Sequence, residues 1–138
     1  MFLKNSVFIA ALSVLHPMAA SAWEHEMQRG VDLYRVVDGD TAISLVCDPR
    51  SVYGTTESAV LIELGSEFDI DADASFRFPD GILVQGHFVR GRIAKAETQG
   101  GAWEPLLTGF RAHSSVEVTV NDQTLDVDLG EPKVFTCL

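Results

Sequence analysis

The chain has 138 residues and a formal net charge of −10, with ten Lys and Arg against twenty Asp and Glu. That balance argues against nucleic acid as a partner, because phosphate recognition needs a basic face. Anionic lipid headgroups should repel the chain for the same reason.

The first elements are those of an export signal. Lys4 supplies a cation, Ser6 to Leu15 is an apolar run, His16-Pro17 breaks any helix, and Ala20-Ser21-Ala22 is a small-residue cleavage site. The apolar run falls far short of the ~20 residues a bilayer span takes, and no second run of that length follows. No cysteine sits at the cleavage site, which argues against a lipid anchor there. The expectation is a cleaved secretory signal peptide, residues 1–22, and a single β-domain, residues 23–138. Its place is periplasmic or secreted, of the Gram-negative bacterial type, with no transmembrane segment in the mature chain. Removing 22 of 138 residues leaves 116, enough for one core. The signal holds Lys4 and no acid, so the mature charge becomes −11.

Beyond the signal the dominant period is two, the mark of half-buried strands. Residues 31–37 and 40–47 flank Asp38-Gly39, a pair that predicts a type I′ hairpin. Thr41, Ile43, Leu45 and Cys47 then share one face, which turns Cys47 inward. Asp48-Pro49-Arg50 ends this strand, and a loop runs on to Thr56. The apolar run Ala59 to Leu64 predicts a strand covered on both faces. Through 68–78, Phe68, Ile70, Ala72, Ala74, Phe76 and Phe78 alternate with Asp69, Asp71, Asp73, Ser75 and Arg77. Pro79-Asp80-Gly81 is a turn, because proline presets φ and glycine accepts the left-handed position. Ile82 to Arg90 returns, and Gly86 within it marks a bulge or the close approach of another backbone. Residues 91–105 are irregular, with a loop at Gln99-Gly100-Gly101. Glu104-Pro105 opens a short helical segment from Leu106 to Ala112. Val116 to Val120 and Leu125 to Leu129 alternate around Asn121-Asp122. Val134 to Leu138 reads as a last short strand. About 7–8 short strands of this kind, with at most one short helix, predict an all-β fold: an antiparallel β-sandwich or small barrel.

Cys47 and Cys137 are the only cysteines. In an oxidising compartment such a pair reads as a disulfide. No CxxC or adjacent activating base favours a redox or nucleophilic role.

Three features carry chemistry. If cleavage falls after Ala22, the mature chain starts Trp23-Glu24-His25. Its amine, two deprotonated backbone amides and the His25 imidazole then form a square-planar nitrogen set suited to Cu(II) or Ni(II). Cleavage after Ala20 would destroy it. Asp69, Asp71 and Asp73 open like an EF-hand calcium loop, but Ala74, Arg77 and Asp80 stand where that loop needs glycine, a ligand and glutamate. On a strand these acids could hold calcium only with help from a neighbour, and a solvated acidic face fits the alternation better. Trp103, Leu106, Leu107 and Phe110, with Pro105, cluster beside a flexible loop, either as a core plug or as a partner-binding lip; the plug is favoured. His87 and His113 lack metal-ligand spacing and come together only if the fold brings them there.

No nucleophile elbow, phosphate-cradling glycine loop or HExxH is present. The expected function is therefore a non-enzymatic exported β-domain without a cofactor. It would bind a protein or serve as an accessory or inhibitor subunit; the acidic charge reads first as a means of solubility, and otherwise as attraction to a basic partner or a cation. The alternative is a periplasmic copper or nickel binder through Trp23 and His25.

Overall fold

The described residues form nine strands, most of them with alternating apolar side chains, and every pairing between them is antiparallel. The structure, a computed structural model, describes residues 22–97 and 101–137. The expected signal peptide up to Ser21 lies outside them, as do Gln99 and Gly100 of the expected loop and Leu138. The strands are β1 (Glu24–Gln28), β2 (Val31–Asp38), β3 (Thr41–Cys47), β4 (Ala59–Leu64), β5 (Ala72–Arg77), β6 (Leu83–Phe88), β7 (Arg92–Ala94), β8 (Ser115–Val120) and β9 (Gln123–Asp128). One helix, α1 (Trp103–Ala112), lies between β7 and β8. The first sheet has the order β1-β2-β3-β4-β7 and the second β6-β5-β8-β9. Their inner faces share one core with α1, so the expected disulfide-linked sandwich is the architecture observed.

Two-residue turns set the registers. Arg29-Gly30, Arg90-Gly91 and Asn121-Asp122 have positive φ at both positions, as type I′ turns require. The β2–β3 turn is displaced by one residue from the expected Asp38-Gly39. Asp38 pairs with Thr41 inside the ladder, and Gly39 alone takes positive φ, as in a type II′ turn.

Residues missed by periodicity form β1 and β7. All five residues of β1 are exposed, so it carries no apolar alternation and is held by its hairpin alone. β7 has a single buried side chain, Ile93. The 68–78 alternation holds inward at Ile70, Ala74, Phe76 and Phe78, but Phe68 is exposed. The strand starts only at Ala72, because the backbone before it serves the β6–β7 corner. Gly91 N–H donates to the Ile70 carbonyl and the Gly91 carbonyl accepts from Ile62 N–H. A side chain at Gly91 would strike the Phe68 carbonyl. This corner joins the two sheets along one side. At Gly86 the close approach is that of the Ile93 side chain rather than of a backbone.

The expected last strand does not form. Phe135 and Cys137 are buried and Val134 and Thr136 exposed, so the alternation is real. The segment finds no ladder partner, and side chains hold it instead: Arg111 Nη2 donates to the Phe135 carbonyl and Cys137 is bonded to Cys47. The helix starts at Trp103, earlier than expected, because proline is tolerated in a first turn whose N–H groups have no helical partner anyway.

Helix α1 plugs one end of the sandwich. Phe110 meets Phe78, Phe76 and Trp23 edge-on, with ring centroids 5.6, 6.0 and 5.9 Å away. Gly109 lets the helix sit this close, since an added Cβ would lie 2.2 Å from the Phe78 ring. Gly109→Ala should therefore destabilise the fold by about 2 kcal/mol, the overpacking penalty outweighing the better helix propensity of alanine. A lowered urea midpoint at unchanged slope checks this.

Candidate functional site

A cluster of polar and ionisable side chains gathers where β1 and β2 meet the C-terminal strap, residues 130–137. His25 and Tyr34 are cross-strand neighbours in the β1–β2 ladder. Their rings stack with centroids 4.5 Å apart and planes 20° apart. His25 Nε2 lies 2.7 Å from Asp32 Oδ1. The other carboxylate oxygen accepts from the Thr136 hydroxyl at 2.7 Å. The Tyr34 hydroxyl donates to Thr136 Oγ1 at 3.5 Å, and Lys133 Nζ stands 5.9 Å over the Tyr34 ring. Asp32 is held below the usual carboxylate range, first by the Thr136 hydroxyl and then by His25, with burial opposing.

Trp23 sits beside this cluster with its side chain in the core. Its ring meets Phe135 at 5.1 Å and Phe110 at 5.9 Å, both edge-on. Next to it opens a groove of about 680 Å³ lined by Ala22, Trp23, Ser114, Glu131 and Lys133 among others. Nothing in the sequence pattern marks Asp32, Tyr34, Thr136 or Lys133 as members of one site. They are spread over a hundred residues, and only the strap's return to β2 assembles them.

The other sequence candidates are dispersed. Asp69 faces Arg90 at 3.7 Å, Asp71 accepts from Arg90 N–H, and Asp73 faces His87 at 2.7 Å. Only Asp73 lies on a strand, so the three do not line one strand face. Among the described residues, no three His, Cys, Asp or Glu side chains come together as a metal-binding group. His87 and His113 take separate acids: His113 Nε2 lies 3.2 Å from Asp80 and its ring stacks on Phe78. Trp103, Leu106, Leu107 and Phe110 are all buried, so these side chains form the plug and not a lip. Asp48, read from sequence only as a strand end, proves to be a buried organiser. Its carboxylate accepts the N–H groups of Val52 and Glu57, and its own N–H donates to Ser58 Oγ, which folds the 48–58 loop.

The Cys47–Cys137 disulfide is present, its Cα atoms 4.4 Å apart. No helix among the described residues is long and apolar enough to cross a membrane. The chain matches no family model, and neither the curated proteins nor the solved structures show a similar protein.

Asp80 provides a pH test. Its carboxyl is held below the usual carboxylate range, first by the Ile82 N–H and then by His113, with burial opposing. A group whose folded pKa is depressed stabilises the fold above its unfolded pKa and loses that effect as pH falls through the folded value. Asp80→Asn should therefore lose less stability than wild type on acidification below about pH 4, read as the change in Tm across that range.

Proposed function

We propose that the protein is an exported, non-enzymatic β-domain that binds a partner with a cationic surface, as an accessory or inhibitory subunit. One observation carries this reading: both open edges of the sandwich are lined with acids. The β6–β7 corner joins the sheets on one side, which leaves β1 and β9 each paired to a single neighbour. Glu24 and Glu26 stand exposed along β1, and Asp126 and Asp128 along β9. Asp126 is placed opposite Glu117, a like-charge pairing that works against the sheet. Arg77 relieves Glu117 from its other side at 3.5 Å, but Asp126 makes no ion pair among the described residues. Acids on an edge keep copies of the chain from pairing with one another. The same acids draw in a basic partner and raise its association rate. A mature charge of −11 extends that field over the surface.

The export half of the reading rests on the Lys4, Ser6–Leu15 and Ala20-Ser21-Ala22 pattern. A disulfide that closes two distant segments is compatible with it.

A cationic lysozyme is a suitable probe. Binding measured by titration calorimetry should be present at low salt and lost at high salt. Glu24→Gln with Glu26→Gln, and separately Asp126→Asn with Asp128→Asn, should weaken it, and the stronger loss identifies the docking edge. Binding that ignores both salt and all four substitutions would sink the electrostatic reading. Reproducible turnover of a substrate by the purified protein would sink the non-enzymatic one.

A further inference from the structure

We propose that the mature protein binds one Cu(II) or Ni(II) ion through the Trp23 amine, the Glu24 and His25 backbone amides and the His25 imidazole, with Asp32 positioning that imidazole. The square-planar nitrogen set needs a histidine third in the chain and an imidazole nitrogen free on the side of the backbone. The ring closes through Nδ1, the nearer of the two nitrogens. In the structure Nε2 is the one engaged, by Asp32 at 2.7 Å. Nδ1 is therefore the nitrogen left for a metal.

The support behind His25 is that of a built ligand. A carboxylate on the far nitrogen of a metal-binding histidine fixes its tautomer and raises its basicity. Here that carboxylate is itself held by Thr136 at 2.7 Å, and Tyr34 stacks on the ring to set its plane. Trp23 is anchored by its side chain between Phe110 and Phe135, which fixes where its backbone nitrogen emerges. Trp23 lines the groove together with Glu131 and Lys133, and cleavage would remove the one lining residue that precedes it, Ala22.

The backbone donors follow from the ladder. A two-residue hairpin closes on a hydrogen-bonded pair, here Gln28 and Val31, and bonded pairs alternate along the strands. Glu24 then falls on a bonded pair with Arg35, and His25 on a non-bonded pair with its N–H facing out at the open edge. Wrapping the ion frees the Glu24 N–H from the last pair of β1 and leaves Glu26 and Gln28 in place. The ion displaces one proton from the ammonium group and one from each amide; no electron is transferred. Zn(II), which prefers tetrahedral sites, should not compete.

The test uses protein exported by its own signal and purified from the periplasm. Intact mass and N-terminal sequencing should place Trp23 first. Titration with Cu(II) or Ni(II) should reach one equivalent and produce the visible band of a square-planar nitrogen set, unaffected by excess Zn(II). His25→Ala should abolish the band. So should a single alanine inserted before Trp23, which keeps His25 against Asp32 but moves it to fourth place. Asp32→Asn should weaken binding about tenfold, with the metal-free Tm measured alongside to separate positioning from folding. A first residue other than Trp23, absence of the band, or its survival in either of the first two variants would overturn the site. Unchanged affinity in Asp32→Asn would overturn the role of Asp32. None of these outcomes depends on whether a cationic protein binds the sheet edges.

Discussion

The Cys47–Cys137 bond is the constraint on which the open side of this sandwich depends. On the other side the backbone itself turns the corner, through Gly91 and its bonds to Ile62 and Ile70. Between β2 and β9 there is no backbone ladder, only the Asp128 N–H donating to the Asp38 carboxylate at 2.8 Å. The gap is filled by the strap, which has no ladder to hold it. Phe135 supplies the filling, against Trp23 and Tyr34. An unpaired segment of this kind would fray in solution, and the bond to the end of β3 keeps it docked. By chain entropy, closing a loop of 90 residues contributes on the order of 4–5 kcal/mol. That is comparable to the whole net stability of many domains, roughly 5–15 kcal/mol.

The same asymmetry explains why polar chemistry collects where it does. A corner closed by backbone has its hydrogen bonds satisfied internally. A seam closed by side chains needs polar side chains to tie it, and these remain partly exposed. Asp32, Thr136 and His25 are such ties: they link β2, the strap and β1 across the seam. The structural role and the proposed metal-binding role therefore draw on one set of residues.

Legibility in the sequence followed how local the physical signal was. Period two, turn residues and, for Ala59 to Leu64, a continuous apolar run revealed seven of the nine described strands, because a strand writes its burial into its own residues. β1 failed that test, having no buried face, and β7 is too short to show a period. Val134 to Cys137 passed it and still formed no strand, because alternation reports a buried side and not a hydrogen-bonded neighbour. The turn at Gly39 shows the limit of dipeptide signals: Asp-Gly located the hairpin, and the pairing of Asp38 with Thr41 decided its phase. Trp23 and His25 were legible as a candidate pair because only Glu24 separates them in sequence. Asp32 and Thr136 were not, since a carboxylate and a hydroxyl 104 positions apart leave no pattern until the fold closes.

The position of Trp23 finally ties processing to folding. Ala22 is exposed and Trp23 is buried, so the expected cut lies at the boundary between solvent and core. A residue fixed between Phe110 and Phe135 cannot also lie extended in a peptidase cleft. If the chain is cut after Ala22, the cut would have to precede docking of α1 and the strap. Loss of Trp23 by a second cut would remove an aromatic core member as well as the first residue of the chain. On that expectation, burial of Trp23 in the core would favour it as the first residue, and His25 as the third.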